Sequence, residues 1–156
     1  GVRVTASIVP ALIDRLVEVA SALLPAGSVR DGWGWQVDHG DATLYIGADD
    51  PTQRTRTEAG DATQEWAAFA ARERDETATV SCAAVGWDGS GDQSAARTRA
   101  FAQLDVLQGA LTADPRLSLD GVLRCGLASI RHLQDMTQSG ALCVVLFDVQ
   151  AIVRHA

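Results

Sequence analysis

The chain has 156 residues, of which 47% are hydrophobic, and it carries a formal net charge of −7. This length is typical of one domain, and the apolar content is enough to bury a core without disulfide bonds or metal ions. No apolar run approaches the roughly 20 residues that cross a membrane as a helix. The net acidity argues against a protein that coats duplex nucleic acid, because phosphates repel acidic surfaces.

The first predicted helix covers residues 7–24. Its apolar residues recur every three or four positions, Ser7 is a suitable N-cap, and Pro10 falls in the first turn, where a missing N–H costs little. Pro25 and Gly27 end the helix. A one-sided apolar stripe of this kind indicates a helix that packs on a flat surface such as a β-sheet.

Two short strands are predicted next, at residues 28–32 and 43–48. Residues 51–64 then contain no apolar side chain larger than Ala, so this segment is expected to be a long polar loop. A loop of that length inside a small domain is usually mobile or functional. The residues that follow, 65–70, fit a helix or a strand.

A clearer strand is predicted at residues 77–87, where side chains alternate between two faces. The residues of one face are small, which indicates that another element packs closely on it: Ala78, Val80, Cys82 and Ala84. Residues 88–91 form a predicted turn, and the second helix covers residues 92–113 with Asp92 as its N-cap.

The last two predicted strands, residues 122–133 and 142–153, are joined by a connection at 135–140 and therefore form a hairpin. This order of elements is typical of the α+β class: an antiparallel or mixed β-sheet, packed by two helices and ending in a long β-hairpin. The sequence contains no internal repeat and no linker, so residues 1–156 are expected to form a single domain.

The residue types that carry catalysis are scattered along the chain. Cys82, Cys125 and Cys143 stand alone in apolar segments and are expected to be small buried residues in a reduced compartment. The chain contains no Lys, and it has no motif that combines a nucleophile with its base. We therefore expect no catalytic site.

Metal and cofactor sites are not predicted either. The three histidines, His39, His132 and His155, lack the spacing of zinc ligands and are expected at the surface or at an edge of the fold. The aspartates that flank the second strand are expected to be solvated loop ends, because the sequence pattern of a calcium loop is absent. They are Asp38, Asp41, Asp49 and Asp50.

Four tryptophans are many for a domain of this size, and Trp is enriched in the cores of protein interfaces. The competing interpretation is that these side chains cap the ends of the sheet core. Together with two arginines of the polar loop, they are the candidates for contacts with other subunits. The candidate interface residues are Trp33, Trp35, Arg54, Arg56, Trp66 and Trp87.

Several segments follow one another in a recognisable order. They include Ile-Val-Pro-Ala-Leu-Ile-Asp at 8–14, Leu-Tyr-Ile-Gly-Ala-Asp-Asp-Pro at 44–51 and Arg-Asp-Glu-Thr-Ala-Thr-Val-Ser-Cys at 74–82, then Trp87, the second helix and the final hairpin. Over nearly the whole chain, this order resembles the tail terminator (tail completion) proteins of long-tailed bacteriophages. The part from Arg74 to the second helix carries most of the resemblance.

The resemblance implies a structural protein of the virion, located in the tail or neck and assembled in the host cytoplasm. Such proteins form a homo-hexameric ring on the tail tube, stop its elongation and offer a surface to the head–tail connector or stopper protein. DNA passes through the ring without specific binding. An acidic subunit suits such a channel, because like charges suppress binding.

Three other interpretations stay open at the level of sequence. A head–tail connector or stopper is also a ring-forming virion protein, and only its position in the particle separates it from a terminator. A small cytosolic enzyme would need a concave pocket with perturbed carboxylates. A ligand-binding domain would show tryptophan fluorescence that a ligand quenches.

Overall fold

A computed structural model describes residues 5–32, 40–50, 58–66 and 73–156 of the chain. Within these ranges, two helices and six strands follow one another. The helices are α1 (Val9–Leu23) and α2 (Gln93–Ala113). The strands are β1 (Val29–Asp31), β2 (Ala42–Ile46), β3 (Gly60–Trp66), β4 (Arg74–Asp88), β5 (Val122–Thr137) and β6 (Gly140–His155). The predicted α+β class, with two helices and a C-terminal hairpin, is confirmed.

The strands form one mixed sheet in the order β1-β2-β4-β6-β5, with β3 also paired to β4. The β1–β2 pair is parallel, and all the other described pairs are antiparallel. Strand β4 is long enough to pair with two partners on one side, since its first half binds β3 and its second half binds β2. Strands β3 and β5 therefore lie at opposite edges of the sheet.

Both helices contribute to a core on one face of the sheet, and the other face, called the open face below, carries neither helix. The small residues of β4 predicted to share a face, Ala78, Val80, Cys82 and Ala84, all lie in the core with α1 and α2. A second, smaller cluster of buried residues occupies the open face. It consists of Tyr45, Ala48, Ala83, Val85 and Val144.

Helix α2 rests almost directly on the backbone of β4. A Cβ atom added to Gly86 would lie 2.0 Å from the carbonyl oxygen of Ala96 and 2.7 Å from the amide nitrogen of Ala100. Both alanines are fully buried. Small residues on both elements are therefore what allows the helix and the strand to approach so closely.

The turn before α2 is held by carboxylates. Asp92 is the N-cap, as predicted, and accepts a hydrogen bond from the amide of Ala95 at 3.2 Å. Asp88, at the end of β4, accepts from the hydroxyl of Ser90, from the amide of Asp92 at 2.9 Å and from the guanidinium of Arg99 at 3.0 Å. These hydrogen bonds, that of Ser90 above all, lower the pKa of Asp88 below its ordinary value.

The expected polar loop at 51–64 is partly wrong. Its last five residues, 60–64, belong to β3 and pair with β4, and residues 51–57 lie outside the described residues. Strand β3 lies at an edge and exposes most of its side chains, so backbone hydrogen bonds hold it in place without an apolar alternation. The connection of the final hairpin is also shorter than expected, because only residues 138–139 separate β5 from β6.

Gln103 also departs from the sequence pattern. It lies off the apolar stripe that predicts α2, yet its side chain is buried and its amide donates to the carbonyl oxygen of Val85 at 3.2 Å. The helix lies so close to β4 that a polar side chain facing the sheet reaches a backbone acceptor. None of the helices in the described ranges is long and apolar enough to cross a membrane.

The close approach of α2 to β4 predicts opposite effects for two Gly→Ala substitutions. Gly86→Ala should lower the free energy of unfolding by about 1–3 kcal/mol, because the helix backbone must move to admit the methyl group. Gly109→Ala, in the same helix with open space around it, should raise the free energy of unfolding by about 0.5–1 kcal/mol. Urea unfolding of both variants measures the two changes, and equal effects would contradict the predicted contact.

Candidate functional site

The described tryptophans among the candidate interface residues lie far apart. Trp66 ends β3, is 60% exposed, and has the guanidinium carbon of Arg74 at 5.8 Å from the centre of its ring. Trp87 lies near the opposite end of β4. Since Trp66 pairs with Arg74, the two tryptophans are separated by about 40 Å of extended strand. They cannot belong to one compact site.

Trp87 packs against other residues of the same fold. Its side chain is partly buried, and a Cβ atom added to Gly140 would lie 2.8 Å from its ring. Its amide donates to the carbonyl oxygen of Asp41 at 2.9 Å. Trp87 therefore packs where β4 meets the start of β6. The other candidate interface residues, Trp33, Trp35, Arg54 and Arg56, lie outside the described residues.

Strand β5 has an exposed apolar edge that the sequence analysis did not single out. Among the described elements it pairs only with β6. Its exposed large apolar side chains, each between 38% and 55% accessible, are Leu123, Ile130, Leu133 and Met136. A long strand edge of this kind is a template for pairing with another chain. The alternating pattern predicted the strand but not that this edge is uncovered.

On the open face, the part of β5 up to Arg131 and the opposite edge of the sheet carry opposite charge, while Asp135 lies further along β5 on the same face. Arg124 and Arg131 project from β5 on the open face, since their β6 partners lie on that face, and neither forms an ion pair with a described residue. At the other edge, Asp61 and Glu65 of β3 also lie on the open face. All five of these charged side chains are exposed.

Carboxylates on the acidic side of the open face repel one another. Asp148 of β6 has a pKa raised above its ordinary value, first by partial burial and second by the nearby charge of Asp61. A positively charged partner placed beside these carboxylates would remove this repulsion.

A buried carboxylate, Glu76 of β4, joins four separate segments. It is fully buried and accepts a hydrogen bond from the amide of Ile8 at 2.8 Å, at the start of α1. The side chain of Gln64 on β3 donates to its other oxygen at 3.1 Å. The Nε2 atom of His155, at the end of β6, lies 3.0 Å from the first oxygen. His155 thus lies at the end of a strand, but the surface placement expected for it is wrong, because its side chain is only 13% exposed.

A second layer of contacts surrounds Glu76. Arg74 donates through Nε to the side-chain oxygen of Gln64 at 2.9 Å and also reaches the carbonyl oxygen of Thr5. Gln64 donates to the carbonyl oxygen of Ala6 as well. The carboxylate is thus surrounded by donors and lies next to the helix N-terminus, where negative charge is favoured. This arrangement anchors the chain segment before α1 to β3, β4 and β6.

The pKa of Glu76 reflects two opposing effects. Burial raises it, while hydrogen bonds from Ser7, Ile8, His155 and Gln64 lower it, and the net direction is below the ordinary value of 4.5. The ionised form is therefore the one that the fold stabilises. Its acceptor sites are used by the protein itself, which favours a structural role over a catalytic one.

The three cysteines are buried and free, as expected. Burial raises the pKa of Cys82 to about 12 and that of Cys125 to about 11, and it also raises the pKa of Cys143. All three thiols therefore stay protonated at neutral pH. His132 is exposed on β5 and makes an edge-on contact with the ring of Phe101 at 5.4 Å between centroids.

His39 and Asp38 lie outside the described residues. Within the described ranges, no group of three or more His, Cys, Asp or Glu side chains is placed to hold a metal ion. No protein-family model and no curated protein matches the sequence.

The Glu76 contacts predict a pH-dependent stability. Glu76→Gln should lower the free energy of unfolding by about 1–3 kcal/mol at pH 7, because buried donors lose a charged acceptor. The folded pKa of Glu76 is depressed, so its contribution is present above pH 4.5 and is lost as the pH falls through the folded value. Urea unfolding of the variant and the wild-type chain from pH 7 to pH 3 measures this difference.

The matched control for this measurement is Glu65→Gln, the same substitution at an exposed position of β3. It should leave the free energy of unfolding almost unchanged at both pH values. A gap between wild type and Glu76→Gln that stays constant from pH 7 to pH 3 would show that the charge of Glu76 does not contribute to stability.

Proposed function

We propose that this protein is a tail terminator: a structural subunit that forms a ring on the tail tube of a long-tailed bacteriophage, ends elongation of the tube and joins the tail to the head connector. The observation that carries the proposal is the exposed apolar edge of β5. A subunit of a ring needs an adhesive side face, and this strand exposes four large apolar side chains beside two arginines that form no ion pair with any residue of the described ranges. The order of sequence segments from 8–14 to the final hairpin supports the same assignment.

The charge of the subunit supports a channel through which DNA moves. The chain carries a formal net charge of −7, and exposed carboxylates such as Asp61 and Glu65 cover part of the open face. DNA that passes acidic walls is repelled and does not bind to them. An acidic ring would therefore let the genome pass in either direction without holding it.

In this proposal, termination depends on a difference between the two faces of the ring. One face of the ring matches the end of the tube, and the opposite face has no surface to which a tube subunit can add. Elongation stops for that reason, and the second face is left for the connector. Capping of the tube in this way requires no catalytic group and no cofactor, only two different surfaces on the same subunit.

Electron microscopy of particles assembled with and without this chain tests the proposal. Without the chain, tails should be overlong or ragged and should not be attached to DNA-filled heads. Adding the purified wild-type chain during assembly should restore a uniform tail length, which is the control for indirect effects of its loss.

Other results would contradict the proposal in different ways. Tails of normal length that are left unjoined to heads would assign the chain to the head–tail connector or stopper. Intact and infectious particles without the chain would favour an enzyme or a ligand-binding domain.

A further inference from the structure

We propose that neighbouring copies of this chain associate head to tail, with the β5 edge of one copy docked antiparallel on the β3 edge of the next. The occupant of the exposed β5 edge is thus a second copy of the same protein. The inference rests on the proposed function only in taking the assembly to be a ring.

The position of the two edges makes the contact heterologous. Strand β3 pairs with β4 on one side of the sheet, and β5 pairs with β6 on the other. A contact between two different surfaces of the same subunit leaves one of each free at the ends of every chain of copies. Such a contact generates a closed ring when the rotation between neighbours closes.

The charges on the open face match in sign across the two edges. Arg124 and Arg131 lie on the same face, although they are seven residues apart, because β5 carries one extra residue at an irregularity between them. With Arg124 opposite Glu65 in antiparallel docking, counting through this irregularity places Arg131 opposite Ala59, just before β3. Asp61 is two residues from Ala59 on the same face, so Arg131 comes within side-chain reach of it.

The same register also pairs apolar side chains. With Arg124 opposite Glu65, Leu123 of one copy meets Trp66 of the next. These are the exposed large apolar residues at the corresponding ends of the two strands, 44% and 60% accessible. Burial of an aromatic ring against an aliphatic side chain gives the contact an apolar anchor beside its charged pairs.

The faces of the two sheets also agree in this arrangement. Arg124 and Glu65 both lie on the open face of their own sheet, and residues directly opposite in a strand pair share a face. The sheet therefore continues from one copy to the next with its open face on the same side. Arg131 of the neighbour arrives beside Asp61, whose charge acts on Asp148 in the free subunit.

Charge-reversal variants test the contact. The β5-edge variant carries Arg124→Glu and Arg131→Glu, and the β3-edge variant carries Asp61→Arg and Glu65→Arg. Each variant has two edges of like charge, so its self-association should weaken by at least about 100-fold. A chain with all four substitutions has complementary edges again and should assemble like the wild type. An equimolar mixture of the two double variants should also assemble.

The readout is the mass of the assembly, by native mass spectrometry or sedimentation, for the free chain and for the chain added to purified tail tubes. Assembly should also weaken as salt is raised, because the charged pairs are exposed. The matched control, Asp105→Arg with Arg116→Glu, reverses two exposed charges on or just after α2 and should assemble normally. Circular dichroism and urea midpoints equal to those of the wild type confirm that each variant is folded.

Three results would overturn the proposed contact. They are double variants that assemble as well as the wild type, a folded four-substituted chain that stays monomeric, and a wild-type chain that stays monomeric both free and on tubes. Rescue by the four substitutions also separates this contact from a symmetric one between two β5 edges, which predicts no rescue.

The contact and the proposed function can fail separately. If the charge variants behave as expected but loss of the chain leaves tails normal, the chain forms rings that do not terminate tails. If tails require the chain but the edge variants still assemble, the ring is built from other surfaces.

Discussion

The carboxylate of Glu76 is the contact on which the placement of its neighbours depends. A buried charge is tolerated only when all its hydrogen-bonding capacity is used, and here the partners come from the start of α1, from β3 and from the end of β6. These segments are far apart along the chain. They must therefore be docked together for the carboxylate to be buried at all, and removal of one partner affects the rest.

The Glu76 contacts also help to position the exposed edge of the sheet that β3 forms. Strand β3 has few side chains in the core, and Gln64 is the side chain that links it by hydrogen bonds to Glu76 and Arg74. The acidic residues on either side of Gln64 are held in line by that link together with the backbone pairing to β4. The acidic β3 edge, which we propose binds the next copy, is thus positioned by a buried polar network rather than by apolar packing. A network of satisfied hydrogen bonds favours one specific geometry of this edge.

The sequence was sufficient for those elements that alternate or repeat in an apolar pattern. Helix α1, helix α2 with its Asp92 cap, the central strand β4 and the final hairpin were predictable, because each has a face that must leave water. Strand β3 was not, since Asp61, Thr63 and Glu65 resemble a loop when read alone and become a strand only through pairing with β4. Gln103 was misplaced for a related reason, because its acceptor is a backbone atom of another element.

The candidate interface was likewise only partly predictable from the sequence. Composition pointed to tryptophans, and Trp66 is indeed exposed beside the acidic edge, while Trp87 packs near Gly140. Strand β5 was predicted, but which of its sides is uncovered depends on the order of strands in the sheet. The strand order results from pairing between segments that are distant in sequence, and local sequence patterns do not show which segments pair.

The position of β6 in the sheet has a consequence for folding. It follows all the other described elements along the chain, yet it lies between β4 and β5 and pairs with both along almost its whole length. The hairpins β3–β4 and β5–β6 consist of local contacts and can form early, whereas the β4–β6 register joins residues from Arg74 with His155 to Asp88 with Ala141. Closing these long loops is the slow event expected from topology. During synthesis from the N-terminus, β3, β4 and their neighbours therefore emerge before the strand that completes the sheet, so a nascent chain cannot present both of its edges to another copy until β6 has been made.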